Sequence, residues 1–478
     1  MRKANFGRNI VLNAQHFYQP ESEDAVLAIL NQHQGQQIRC VGRLHSWSPV
    51  IDADMVLLDL HRLQGVEVMQ RDGRKVVQVG AGCQIKRLLA EIEKQGLTLP
   101  SVGFITEQTI AGATSTGTHG SGRHSLSHYV VAVRVACYDP ATKKAVIREF
   151  NSGDELRAAR CSLGTLGVIL SVIMECRTQY NVEEHFREYL SVEDILKAEE
   201  SSPLTQFYFV PWRWRYFAQH RREVDAEKST SVKLYHWYRF IVFDVLMHLV
   251  ILVTVRVIRW HAVTKALFAH GVPNSVIRNW RVIGESSSQL VMEHELFRHV
   301  EIELFVQKEH LANALVHLKQ TLIAADSHNT ELPRSYLAEV SKSQCSESLN
   351  EIRGVYCHHY PICIRKILPD DTLISMASPS AHEADGQTCD EPNSAWYSIT
   401  LTNYHRGQAR KPFDELATFL AKSMFRLFKA RVHWGKLCPL SVEELRECYR
   451  GFEEFRSIQR KVDHGCVFTN TWTQELLQ

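Results

Sequence analysis

What this chain lacks narrows its function before any motif is read. Its 478 residues carry no surplus of either charge, because 55 lysines and arginines face 53 aspartates and glutamates, a net charge of +2. A nucleic-acid partner held by its phosphates needs a basic surplus or stripe, so none is expected. The twelve cysteines include no C-x-x-C pair and no regular framework, which is the pattern of reduced thiols in a cytosolic setting and not of a disulfide scaffold. The opening MRKANFGRNIVLNAQHF has neither an apolar run nor a small-residue cleavage site, so no secretory signal is expected and the localisation reads as cytoplasmic. At 45% hydrophobic and 23% charged residues, the composition is that of a folded chain long enough for two or three domains.

No twenty-residue apolar run is free of interruption. The longest, from Tyr238 to Trp260, is broken by Asp244, His248 and Arg256. Three readings stay open for it: a buried core helix, a helix lying in a membrane interface between Trp237 and Trp260, or a spanning helix. The second implies a peripheral membrane contact over about 238–260.

The front of the chain alternates strands and helices. Ser22 caps a helix over Glu23 to Gln32, and strands follow at Ile38–Val41, Val56–Leu60, Val66–Met69 and Lys75–Val79. Ile85 to Lys94 reads as an amphipathic helix stopped by Gly96. Gly80-Ala81-Gly82 precedes that helix as a dinucleotide fingerprint would, but Ile85 stands in place of the third glycine. A tight strand-to-helix turn is the better reading.

The stretch Leu97–Gly122 interleaves Gly103, Gly112, Gly117, Gly120 and Gly122 with Thr109, Thr114, Ser115, Thr116 and Thr118. Glycines admit close backbone approach, and the hydroxyls and free amides can donate to phosphate oxygens. Apolar Leu99, Val102, Ile105 and Ile110 frame the stretch, which distinguishes a diphosphate cradle from a flexible linker. His119, His124 and His128 fall close together there with no cysteine or carboxylate among them, so no metal site is expected. Val130–Cys137 and Val168–Met174 are further strands, the second preceded by Ser162-Leu163-Gly164-Thr165-Leu166-Gly167.

Taken together, V-G-R-L-H-S from Val41, A-G-A-T-S-T-G-T-H-G-S-G from Ala111 and S-L-G-T-L-G-V-I from Ser162 resemble the FAD-binding domain of the vanillyl-alcohol-oxidase-type (PCMH-type) flavoproteins. The likeness is greatest to the aldonolactone oxidases and the alditol oxidases. Arg431-Val432-His433-Trp434-Gly435-Lys436 is similar to their H-W-x-K motif, and Tyr360-Pro361-Ile362-Cys363-Ile364-Arg365 to their Pro-x-Glu-x-Arg strand. The implied fold is α+β, with a two-part FAD-binding domain over 1–180 and a substrate domain over 181–478. That second domain would have an antiparallel sheet flanked by helices, and its segment from about 430 to 478 would return to the flavin.

The resemblance implies where FAD sits and what it does. Val41, Gly42, Arg43, Leu44, His45 and Ser46 would wrap the pyrophosphate, with Thr109, Gly112, Thr116, Gly117, Thr118, Gly120 and Ile169 completing the cofactor site. His45 stands where many of these enzymes bond an imidazole to the flavin 8α carbon, which implies a covalent flavin. Gly103 matches a position near the face that oxygen approaches, which implies an oxidase making hydrogen peroxide. The implied reaction is hydride transfer to flavin N5 from a hydroxyl carbon of a sugar-1,4-lactone, such as D-arabinono-1,4-lactone. Lys436, Arg365 and His433 are the implied catalytic residues. Alternatives are an alditol oxidase, a dehydrogenase of a membrane- or lipid-linked sugar using another electron acceptor, and a flavin carrier that has lost catalysis.

Cys363 is the departure from that pattern, standing where the family carries glutamate. A thiol replaces neither a carboxylate acceptor nor a base of ordinary strength. Either another residue accepts the proton, with His359 at even spacing from it as the candidate, or the substrate is not a typical aldonolactone, and Phe104 is expected to narrow the pocket. In the second half Val300–Val306, Ile364–Leu368, Thr372–Met376 and Trp396–Leu401 read as strands. Glu309–Ala324 and Pro412–Phe428 read as helices, and Ser378–Ser394 as a polar loop.

Overall fold

The computed structural model describes residues 2–291, 297–380 and 395–477. Near the N-terminus, His16–Tyr18, Val56–Asp59 and Ile38–Val41 form a parallel sheet in that order. The Glu23–Gln32 helix, with the Ser22 hydroxyl accepting the Ala25 amide, carries the chain from one edge strand to the other, and residues 42–55 make the crossover that the parallel neighbours Ile38–Val41 and Val56–Asp59 need. A second, antiparallel sheet follows in the order Ala145–Phe150, Val130–Tyr138, Val168–Glu175, Arg74–Gly80, Val66–Arg71. Asp72 and Gly73, both at positive φ, make the hairpin between its last two strands. Gly80 and Gly82 then turn the chain against the backbone of 60–64. A Cβ on Gly82 would meet Leu60 O at 1.8 Å, so the turn needs glycine for packing.

The rest of the chain is organised by an eight-stranded sheet. Its order is Val282–Glu285, Asn181–Tyr189, Arg215–Val224, Gln206–Val210, Ile362–Ile367, Trp396–Asn403, Val300–Gln307, Arg431–Val432, and every neighbouring pair is antiparallel. Strand side chains alternate between faces. Val300, Ile302, Leu304 and Val306 pack on one face in the same core as the Leu311–Asp326 and Lys411–Phe428 helices. The other face carries one cross-strand row, Glu303, Thr400, Cys363, Tyr208 and Phe217, set opposite one another by the register.

Two expectations are corrected, and one of three open readings is set aside. Thr372–Met376 is a turn and not a strand, because the buried Asp370 carboxylate captures the Thr372 amide and hydroxyl and the Ser375 hydroxyl. His359 lies before the strand that carries Cys363, with its Nε2 accepting the Tyr404 amide at 3.1 Å. The apolar run near 238–260 is helical but not a core helix, since only 28% of its most apolar window is buried. Of the polar stretch 378–394, residues 381–394 lie outside the described residues.

Candidate active site

Two connected spaces lie between the front sheets and the large one. The first holds about 1000 Å³ and is walled by main chain from the 41–46 loop, the Ile110–Ser115 helix and its flanks, and the 163–169 turn. Leu44 takes φ 58° to bend the first of these. Gly42 passes so close to Thr109 that a Cβ would meet Thr109 Oγ1 at 2.1 Å. Among the described residues walling this channel none is acidic, whereas Arg39, Arg43 and Lys436 are cationic and Ser46, Thr109, Ser115 and Thr116 bring hydroxyls. Such a donor set suits a diphosphate. Arg39 is fully buried and binds the frame together, donating to the carbonyls of Val50, Leu163, Gly164 and Phe468. Burial pushes its pKa down to about 10.

The second space holds about 1350 Å³ and shares Gln108, His433 and Lys436 with the first. Its near end is built of buried ion pairs. Lys436 Nζ donates to Glu301 Oε2 and lies 4.3 Å from the centre of the Trp47 ring. Thr402 Oγ1 donates to the other Glu301 oxygen at 3.1 Å, and His299 Nε2 lies 3.3 Å from it. Burial alone would raise the Glu301 pKa, but Lys436 and His299 outweigh it and hold the carboxylate well below its usual range. Glu303 Oε1 accepts from Arg365 Nη2 at 2.8 Å and Thr400 Oγ1 at 2.9 Å. Again burial opposes ionisation, and Arg365, His119 and His433 overcome it.

The histidines differ in tautomer. The Gly435 amide can only donate, so His433 Nδ1 accepts from it at 2.9 Å and the neutral ring carries its proton on Nε2. Burial keeps this ring neutral, pushing its pKa down to about 3. His119 is the reverse: Nδ1 donates to Gly120 O at 2.9 Å, leaving Nε2 3.4 Å from Glu303 Oε1. The far end of the cavity is largely apolar, walled by Phe186, Val210, Phe217, Phe243, Met247 and Val276, and Arg239, His248 and Gln219 also line the cavity.

A family profile described as the D-arabinono-1,4-lactone oxidase domain matches residues 173–476, and one described as an FAD-binding domain matches 14–142. The chain belongs to the D-arabinono-1,4-lactone oxidase family. A long-chain alcohol oxidase from an uncultured marine euryarchaeote is 48% identical over 100% of this chain and 97% of its own. L-gulonolactone oxidase of Mus musculus is 23% identical, covering 99% of this chain and 97% of that one. Cholesterol oxidase from B. sterolicum shares the fold at a TM-score of 0.74 and 14% identity, over 100% of this chain and 96% of that one. The protein is thus an FAD-linked oxidoreductase of CH–OH donors, with the two-domain fold of that structural neighbour.

In this family member Val41, Gly42, Arg43, Leu44, His45, Ser46, Thr109, Gly112, Thr116 and Ile169 all wall the channel. His45 stacks on Phe6 with ring centres 4.9 Å apart. Thr118, Phe104 and Arg365 line the cavity, and His433 and Lys436 line both spaces. Gly103, Gly117 and Gly120 wall neither. A Cβ on each would meet Thr118 Cγ2 at 2.7 Å, Met376 Cε at 2.8 Å and Val102 O at 2.5 Å respectively, so these glycines serve packing behind the wall. His119 goes to the cavity while His124 and His128 stack on each other at 4.0 Å.

Glu301 and Glu303 escaped the sequence reading, although V-E-I-E-L-F-V displays them at strand alternation. Two carboxylates on one strand face beside an otherwise apolar repeat are the signal that was available. Glu303 stands two strands from Cys363 across Thr400, and it supplies Arg365 with the carboxylate that Cys363 cannot. Burial pushes the Cys363 thiol up to about 11, which leaves it protonated.

Proposed function

We propose that this enzyme oxidises the hydroxyl carbon of a long-chain alcohol, with oxygen as electron acceptor and hydrogen peroxide as second product. The observation that carries the reading is the graded wall of the cavity, ionic beside the cofactor channel and built of rings and branched side chains beyond it. A sugar lactone bears polar groups on every side and would leave several facing Phe186, Phe217 and Phe243 without partners, whereas an alkyl chain leaves none. The name of the relative at 48% identity points the same way.

FAD, held in the channel, supplies the hydride acceptor. The chain's own groups handle the proton and the charge. His433 Nε2–H donates to the substrate oxygen, and His119 Nε2 receives the hydroxyl proton, with Glu303 stabilising the resulting imidazolium. Arg365 holds Glu303 in place, and Lys436 puts a positive charge where the channel meets the cavity. His45, inside the channel wall, is the proposed point of covalent attachment. A yellow, fluorescent pellet after acid precipitation supports that bond, and a colourless pellet refutes it.

The deciding experiment is anaerobic bleaching of the flavin band by 1-alkanols of increasing length and by aldono-1,4-lactones and alditols. Each methylene buried in an apolar wall is worth about 0.8 kcal/mol, or about fourfold in affinity. KM is therefore expected to fall about fourfold per added CH₂ until the cavity is filled. Bleaching by lactones alone would instead establish the second reading, an aldono-1,4-lactone oxidase, which the family profile and the ionic end of the cavity favour.

A further inference from the structure

The Val232–Ile258 helix turns its polar groups inward. Its inner stripe carries Tyr235, Arg239, Asp244, His248 and Thr254 beside the apolar Ile251 and Val255, all buried. Arg239 donates to the Gln289 and Val291 carbonyls and lies 3.6 Å from Glu184, while His248 pairs with the Tyr404 hydroxyl. Two wide π-type turns, Phe240–Leu246 and Thr254–Ile258, keep these groups on one side. The outer stripe is apolar. Ten of the seventeen exposed large apolar side chains among the described residues lie between Leu234 and Trp260, including Trp237 at 64%, Val257 at 74% and Trp260 at 69% exposure. A soluble surface rarely tolerates so large an apolar patch.

The patch is embedded in positive charge. From Lys228 to Gly284 the only acidic residue is Asp244, against eight lysines and arginines. At the end of the helix Arg256 joins Arg8, Arg298 and Arg406, and Arg259 follows it, donating to the Arg256 carbonyl. Burial, then the fields of Arg256, Arg8 and Arg298, push the Arg406 pKa down. Guanidinium groups crowded in this way, beside exposed tryptophans, match the headgroup level of an anionic bilayer. The same helix places Arg239, Phe243, Met247 and His248 in the wall of the substrate cavity. Its outer face and the apolar end of the cavity are therefore one helix thickness apart. A spanning orientation would carry Arg239 and Asp244 out of their buried partnerships into hydrocarbon.

We propose that the outer face of this helix lies in the interface of an anionic membrane, from which the cavity draws its long-chain alcohol. The docking stands on the surface alone, and the origin of the alcohol rests on the proposed function. The test is sedimentation of the FAD-loaded enzyme with vesicles of phosphatidylglycerol and phosphatidylcholine, or of phosphatidylcholine alone. The enzyme is expected to pellet with the anionic vesicles, and high salt to weaken binding several-fold. The exposed double variant Leu249→Glu, Val253→Glu is expected to lose at least tenfold in partitioning and in turnover of vesicle-borne hexadecanol, while keeping its rate on soluble hexanol. Wild type left in the supernatant with both vesicles, or a double variant that binds as wild type does, overturns the proposal. So does a concentration-dependent dimer that the double variant dissolves without any vesicle binding, since that gives the face to a second copy. Vesicle binding without oxidation of any alcohol keeps the docking and refutes only the substrate reading.

Discussion

The cofactor channel and the substrate cavity meet at three residues yet are made in opposite ways. The channel is a main-chain site: loops brought close by glycine, edged with hydroxyls and free of carboxylates among its described residues. The cavity is a side-chain site, where Glu301 and Glu303 each need a cation and hydroxyl donors to remain ionised in a dry wall. A main-chain site tolerates exchange of side chains but not an added Cβ. A side-chain site tolerates shape changes around it but not the loss of one member of a pair.

The sharpest way to break this contrast is Glu303→Gln, which keeps the shape and removes the charge facing His119 and Arg365. Rapid-reaction reduction is expected to slow by about 10³-fold, the middle of the range for a proton-transfer partner, with flavin content per chain unchanged. Loss of flavin along with the rate would mean that the two sites are one unit. The converse variant is Gly42→Val. Its side chain would collide with Thr109, a strain of about 1–3 kcal/mol, so FAD retention in dialysis should fall by about 10- to 100-fold. The chemistry per bound flavin should survive.

A third prediction compares the two faces of the large sheet. Glu199, under the face opposite Glu301 and Glu303, accepts from the Tyr397 hydroxyl at 2.7 Å, and the fields of Lys366 and Lys308 are too weak to offset its burial. Burial pushes its pKa up to about 7. The folded chain thus holds a proton that the unfolded chain releases above about pH 4.5. Stability from this group is complete below that pH and is lost as pH rises through 7, about 3 kcal/mol in all. Glu199→Gln mimics the protonated form and should flatten the fall in unfolding free energy between pH 5 and 8, measured by urea titration. A fall left unchanged would deny that Glu199 is protonated in the fold. The smallest effect is expected from Gly103→Ala, whose Cβ presses on Thr118 in the cavity wall. Reoxidation of the reduced enzyme in air should slow a few-fold, while anaerobic reduction by alcohol changes less. A greater loss in reduction than in reoxidation would tie the packing of Gly103 against Thr118 to substrate fit and not to oxygen access.

Much of the fold was legible because its signals are local. The Ser22 cap, the Gly96 stop, and the alternation of Val300–Gln307 and Trp396–Asn403 all act within a few residues. The missed pieces depend on distant partners. Thr372–Met376 has strand-like residues, but Asp370 competes for its backbone and wins. The 238–260 run is as apolar as a core helix, and only its buried Arg239, Asp244 and His248 reveal that its apolar side faces outward. Arg39 looks like a surface residue of a strand until four carbonyls from three segments close on it.

By itself the sequence determined where the main chain is bare enough to meet a diphosphate, because a missing Cβ is a property of one residue and needs no partner. It also determined which strands offer carboxylates and cations on a given face, since alternation is built into the backbone. Only the tertiary structure decided which charges meet. Cross-strand register set Glu303 against Arg365, and the return of the 431–436 segment set Lys436 against Glu301. The energy of a buried charge depends on what stands within a few ångströms of it, and residues 62 and 135 positions apart become such neighbours only when the sheet has closed.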